Sequence, residues 1–124
     1  MAQSIKNRVV LLVEDEWLVR MEMADALSTA GWEVIEAGSG EAALAVLATG
    51  RAIDLLVTDV RLGGTTTGWD VADAAIAAFP GVPVLYSSAN PRDGARMIQG
   101  SVFLDKPART ERLLSICAGL VTRN

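Results

Sequence analysis

Apolar residues fall into two kinds of segment along the chain. Short, nearly continuous runs occur at Val9-Val10-Leu11-Leu12-Val13, Leu55-Leu56-Val57, Val82-Pro83-Val84-Leu85-Tyr86 and Val102-Phe103-Leu104. Runs of this length, rich in Val and Leu, predict strands covered on both faces. A fifth run, Trp32-Glu33-Val34-Ile35, mixes in polar residues, which places it at a sheet edge. Between the runs the period lengthens. Val19, Met23, Ala26, Leu27 and Ala30 stand at i, i+4, i+7, i+8 and i+11, an apolar stripe on one helix face that Gly31 ends. Ser39 can cap a second helix over about Gly40 to Ala48, with Gly50 as its stop. A third is predicted from about Trp69 to Phe79, before Pro80-Gly81. Asn90-Pro91 reads as the cap and first position of a fourth, and Leu113, Leu114, Cys117 and Leu120 mark a fifth.

Five strands alternating with five helices imply right-handed crossovers and an α/β fold with a doubly wound, five-stranded parallel sheet. Composition narrows this little further. With 124 residues, about half of them apolar, the chain fits one domain spanning 1–124 and needs no disulfide or structural metal to fold. Only Thr122-Arg123-Asn124 follows the fifth helix, so no output domain is expected. Cys117 is the only cysteine and falls on an apolar face, where it reads as a core residue. Trp17, Trp32 and Trp69 read as packing or surface residues. The net charge of −4 and the lack of any basic run argue against nucleic-acid binding. No run approaches the roughly 20 apolar residues of a membrane span, and the N-terminus lacks the apolar core of a signal peptide, so a cytoplasmic protein is expected.

The chain contains no histidine, so proton transfer and metal binding must rest chiefly on carboxylates. In open parallel sheets, ligands bind beyond the carboxyl ends of the strands. Glu14-Asp15-Glu16 follows the first strand, Thr58-Asp59 the third, Ser87-Ser88 the fourth and Asp105-Lys106-Pro107 the fifth. Taken singly, each has an ordinary explanation. Acids at strand ends often cap the next helix, and a lone loop aspartate is usually solvated. Taken together, they converge. In the flavodoxin-like order 2-1-3-4-5, the first and third strands are neighbours. Two carboxylates ~4 Å apart at an effective dielectric of ~20 repel by about 4 kcal/mol, so the cluster must take up protons or a cation. Hard oxygen ligands suit Mg²⁺. A cation site beside a lysine and a serine hydroxyl suggests phosphoryl chemistry, with Asp59 as the nucleophile.

These residues carry a family resemblance. Leu11-Leu12-Val13-Glu14-Asp15-Glu16, Asp59 after an apolar strand, Ser87-Ser88-Ala89 and Lys106-Pro107, in that order, resemble the receiver domain of two-component response regulators from Val9 to Leu120. The resemblance implies that Asp59 is the phosphoacceptor. It makes Asp15 a direct Mg²⁺ ligand, Glu14 a ligand through water, and the backbone carbonyl of Arg61 a further metal oxygen. Lys106 would pair with the phosphoryl group, Ser88 would be the switch hydroxyl and Phe103 the aromatic switch residue. Implied partners are a histidine kinase or histidine phosphotransfer protein and a downstream protein target, with homodimerisation through the face from the fourth strand to the fifth helix. The only expected reactions are self-phosphorylation and self-dephosphorylation, not turnover of a separate substrate.

The sequence departs from the family in Val60-Arg61-Leu62-Gly63-Gly64-Thr65-Thr66-Thr67-Gly68. The usual proline is missing, the segment is about one residue longer, and its Gly and Thr content reads as a mobile loop. Arg61, with Asn90, stands where side chains border the path of an attacking water. Two other readings compete with the phosphoacceptor: a receiver-like binding module that is never phosphorylated, and a small phosphatase with an aspartyl-phosphate intermediate. The latter usually needs a cap, for which this chain is too short.

Overall fold

A computed structural model describes residues 7–90 and 101–122. Its strands and helices alternate: β1 (Val9–Val13), α1 (Trp17–Thr29), β2 (Glu33–Ala37), α2 (Gly40–Ala48), β3 (Leu55–Asp59), α3 (Gly68–Ala78), β4 (Val84–Ser88), β5 (Val102–Asp105) and α4 (Thr110–Thr122). The five strands form one parallel sheet in the order β2-β1-β3-β4-β5. The doubly wound α/β expectation therefore holds, and the mixed β2 strand is an edge. Four helices stand among the described residues. The helix expected from Asn90-Pro91 lies outside them.

Side chains alternate across a strand, and the two faces build two cores. Val10, Leu12, Leu55, Val57, Leu85 and Leu104 face α1 and α4, where Leu27, Leu113 and Cys117 meet them. Leu11, Val13, Leu56, Val84 and Tyr86 face α2 and α3, where Ala43, Leu47, Val71 and Ala72 pack. This two-sided burial explains why the strands read as unbroken apolar runs rather than alternating ones. Trp32 is buried in the α1–α4 core, whereas Trp17 is exposed.

Some boundaries differ from the sequence reading. β4 begins at Val84 rather than Val82. Pro83 has no N–H to donate, although its carbonyl accepts from Leu56 N–H at 3.0 Å. β3 runs two residues beyond Val57, so Asp59 ends a strand and is only 9% exposed. α3 starts at Gly68, one residue early, because Thr67 and Asp70 close a capping box: Asp70 N–H donates to Thr67 Oγ1 at 3.2 Å and Thr67 N–H to Asp70 Oδ2 at 2.9 Å. Ser39 caps α2 as expected, accepting from Ala42 N–H at 3.0 Å. No helix of the described residues is long and apolar enough to cross a membrane.

Candidate functional site

Because all five strands are parallel, their carboxyl ends share one edge of the sheet. The register pairs Val13 with Thr58, Asp59 with Ser87 and Ser88 with Asp105. The residues that follow each strand are thereby gathered without any unusual backbone.

The β1 end supplies two carboxylates with different surroundings. Glu14 is 2% exposed. Its Oε2 accepts from Glu16 N–H at 3.1 Å and its Oε1 from Lys106 Nζ at 2.6 Å. Asp15 is exposed, and its Oδ2 accepts from Gly63 N–H at 3.0 Å. Arg20 steadies this turn from α1: its guanidinium donates to the Glu14 carbonyl at 2.9 Å and pairs with Glu36 at 3.2 Å.

Asp59 faces them from β3. Its Oδ2 accepts from Lys106 Nζ at 2.9 Å and its Oδ1 from Arg61 N–H at 3.3 Å. Gly68 lies directly against it. A Cβ on Gly68 would stand 2.1 Å from the Asp59 carbonyl oxygen, so only glycine fits at this start of α3. Lys106 reaches the cluster from just past β5, where its N–H donates to the Ser88 carbonyl at 2.9 Å.

One carboxylate oxygen each from Glu14, Asp15 and Asp59 lie within 4.8 Å of one another. The Lys106 ammonium compensates one of three formal negative charges, which leaves room for a divalent cation. An all-oxygen donor set with an exposed member suits Mg²⁺, which keeps several waters. Burial, which strips water from its charge, pushes the Glu14 carboxyl above its ordinary value, although hydrogen bonds from Lys106 and the Glu16 amide oppose it. Burial also works against the Lys106 charge, but its bonds to Glu14 and Asp59 outweigh this and hold its pKa above the ordinary lysine value.

The structure thus brings together Glu14, Asp15, Asp59 and Lys106. Arg61 meets Asp59 through its backbone N–H. Ser88 is buried at the neighbouring strand end, its Oγ accepting from Asn90 N–H at 3.1 Å. Phe103 pairs with Tyr86 across β4 and β5 and is half-buried on the α2–α3 side of the sheet. Arg20, Gly63 and Gly68 escaped the sequence reading. The capping box around Gly68 is legible as Thr67-Gly68-Trp69-Asp70, but the Arg20 and Gly63 contacts join residues with no local pattern.

The 60–68 loop is not unanchored. Besides the Asp15 contact and the capping box, Glu41 of α2 accepts from Thr65 Oγ1 and Thr66 N–H, each at 3.2 Å. Beside the site, a cavity of about 330 Å³ opens between α1 and the β5–α4 connection, lined by Val19, Met23, Leu104, Pro107 and Leu113 among others. Trp17, Leu18 and Met21 on α1 are exposed large apolar residues.

A family model described as the response regulator receiver domain matches residues 10–118. The response regulator protein FleR of Pseudomonas aeruginosa is 35% identical over 113 residues, covering 88% of this chain and 24% of that protein. The transcriptional regulatory protein PdtaR of Mycobacterium tuberculosis is 32% identical, covering 98% of this chain and 60% of that protein. The chain therefore spans less than two thirds of either relative's length. Among solved structures, a response regulator receiver protein from Sinorhizobium medicae superposes with a TM-score of 0.90 at 30% identity, covering 97% of this chain and 98% of that one. The receiver domain of the hybrid histidine kinase CckA gives 0.78 at 32% identity, covering 91% and 98%. Fold, acidic edge and sequence likeness converge, and the chain belongs to the response regulator receiver domain family.

Proposed function

We propose that Asp59 accepts a phosphoryl group from a phosphohistidine on a kinase or phosphotransfer protein, and that this changes the binding of a downstream protein. The observation that carries this reading is Lys106 Nζ, which bridges Glu14 and Asp59 inside a cluster of three carboxylates. A solvated loop aspartate has no need of such a counter-charge.

Asp15, Asp59 and the Arg61 carbonyl would hold Mg²⁺ directly, and Glu14 through water. An ion held there would supply charge neutralisation for the transferring phosphoryl oxygens. The chain supplies the rest. An Asp59 carboxylate oxygen attacks phosphorus in line, the P–N bond to the donor imidazole breaks, and the nitrogen keeps the bonding electrons. Phosphorylation raises the negative charge at Asp59 to about −1.5 to −2, and Lys106 is already in place to pair with it. Ser88 would move to donate its hydroxyl to a phosphoryl oxygen, giving up its present bond from Asn90 N–H. Phe103 would then turn into the space released, and β4 and β5 would carry the change to the surface. A protein donor fits the rim of the site, where the cavity and the exposed Trp17, Leu18 and Met21 offer apolar surface.

Incubation with acetyl phosphate and Mg²⁺, followed by intact-mass measurement, is expected to give a labile phosphoryl adduct. Asp59→Asn should give none. A wild-type protein without an adduct, or an Asp59→Asn variant that still acquires one, would defeat this reading.

A further inference from the structure

Gly63 and Gly64 pass between two carboxylates. On one side a Cβ at Gly63 would stand 3.3 Å from Asp15 Oδ2, and the Gly63 N–H donates to that oxygen at 3.0 Å. On the other, a Cβ at Gly64 would stand 3.3 Å from Glu41 Oε1, and Gly64 holds a φ of +94° that L side chains rarely adopt. The other Glu41 oxygen, Oε2, accepts from both Thr65 Oγ1 and Thr66 N–H at 3.2 Å. The loop is also pressed onto the start of α2, because a Cβ on Gly40 would lie 2.6 Å from the Thr66 side chain and 2.7 Å from its carbonyl oxygen. An exposed acid in the first turn of α2 would ordinarily serve only the helix pole. Here its carboxylate is turned outward onto another segment 24 and 25 residues away.

We propose that Glu41 is a positioning residue for the phosphorylation site: it clamps residues 64–66 so that the Gly63 N–H fixes Asp15 Oδ2 and so orients the carboxylate that would ligate the cation. The proposal rests on Asp15 being the metal ligand. Hydrogen-bond partners that orient a ligating carboxylate tune metal affinity strongly. Asp15 is exposed, and among the described residues little else holds its carboxylate. The long, proline-free loop then has a physical role. Its two glycines permit the close approach to both carboxylates, and its threonines supply the donors to Glu41.

The test compares wild type, Glu41→Ala and Glu41→Gln by amide hydrogen exchange and by calorimetric Mg²⁺ titration. In Glu41→Ala, exchange at both Gly63 and Thr66 should quicken several-fold, and Mg²⁺ should bind about tenfold more weakly, the low end of the effect of losing a ligand's hydrogen-bond partner because Glu41 acts through the loop. Glu41→Gln keeps an acceptor and should recover much of both losses. Glu41 is exposed, and an unchanged thermal midpoint in the variants would separate positioning from global destabilisation. Faster exchange at Thr66 without a change at Gly63 would overturn the clamp, and so would an unaltered Mg²⁺ affinity. A wild-type protein that binds no Mg²⁺ yet shows the expected exchange would locate the failure in the site reading, and the positioning role towards a metal ligand would fall with it.

Discussion

Lys106 is the residue on which the site turns. Its ammonium meets Glu14 at 2.6 Å and Asp59 at 2.9 Å, with side-chain exposures of 19%, 2% and 11% for the three groups. Removing it leaves two closely spaced, buried acids without their shared counter-charge. Lys106→Ala is therefore expected to lower stability in metal-free buffer by about 1–3 kcal/mol, read from urea denaturation. Adding Glu14→Gln in the same chain should recover part of the loss, because the buried charge is then gone. An unchanged denaturation midpoint in Lys106→Ala would mean the two contacts contribute nothing net. Mg²⁺ should act in the opposite direction. At about a hundred times its dissociation constant, it is expected to stabilise the fold by about 2.7 kcal/mol, and Asp15→Asn should abolish most of that gain in a thermal melt.

At the scale of elements, the starts of α2 and α3 are built against the β3–α3 loop and cannot be exchanged for generic helix starts. Gly68→Ala would force a Cβ into the Asp59 carbonyl oxygen, whereas a Cβ on Gly119 of α4 meets nothing within 4 Å. Gly68→Ala is expected to cost about 3 kcal/mol and to displace Asp59, while Gly119→Ala should stabilise by about 0.5–1 kcal/mol. The two substitutions are chemically identical, so a melt that showed no contrast would rule out steric control at Gly68. The Glu41 clamp has its own signature in pH. Hydrogen bonds from its own backbone N–H, then from Thr66 and Thr65, hold its carboxyl below the ordinary 4.5. A lowered carboxyl pKa means that the clamp's contribution is fully present above pH 4.5 and is lost as pH falls through the folded value. Protection of the Thr66 amide should therefore drop in that acid range, and Glu41→Gln should flatten the profile.

For the molecule as a whole, the two cores share the sheet between them. Leu11 and Leu56 are fully buried on the α2–α3 face, and Leu56→Ala is expected to cost about 2–5 kcal/mol. Cys117 is buried in the opposite core, where burial pushes its thiol up to about 12. Almost no thiolate exists at neutral pH, so alkylation of Cys117 should follow the unfolding transition in denaturant instead of preceding it. Much of this architecture was legible in the sequence. The apolar runs at residues 9–13 and 55–57 located the central strands because burial on both faces leaves no polar positions to interrupt them. Glu14, Asp15, Asp59 and Lys106 were legible as site candidates because parallel strands carry whatever follows them to one edge. The β4 boundary was less legible, since Val82 and Pro83 are apolar without belonging to the ladder.

The local pattern of the chain thus determined its strands, most of its helices and the edge on which its chemistry gathers. Each of these depends on residues a few positions apart, whose side chains select one period over another. Tertiary structure decided the rest. Lys106 finds Glu14 across 92 positions, and Gly63 finds Asp15 across 48. Such contacts arise only after strand order and register have set the distances between loop backbones. The loop after Asp59 shows the difference most plainly. Its composition alone reads as mobile, yet its place between the β1–α1 connection and the start of α2 gives its glycines two carboxylates to lie against and its threonines an acceptor in Glu41.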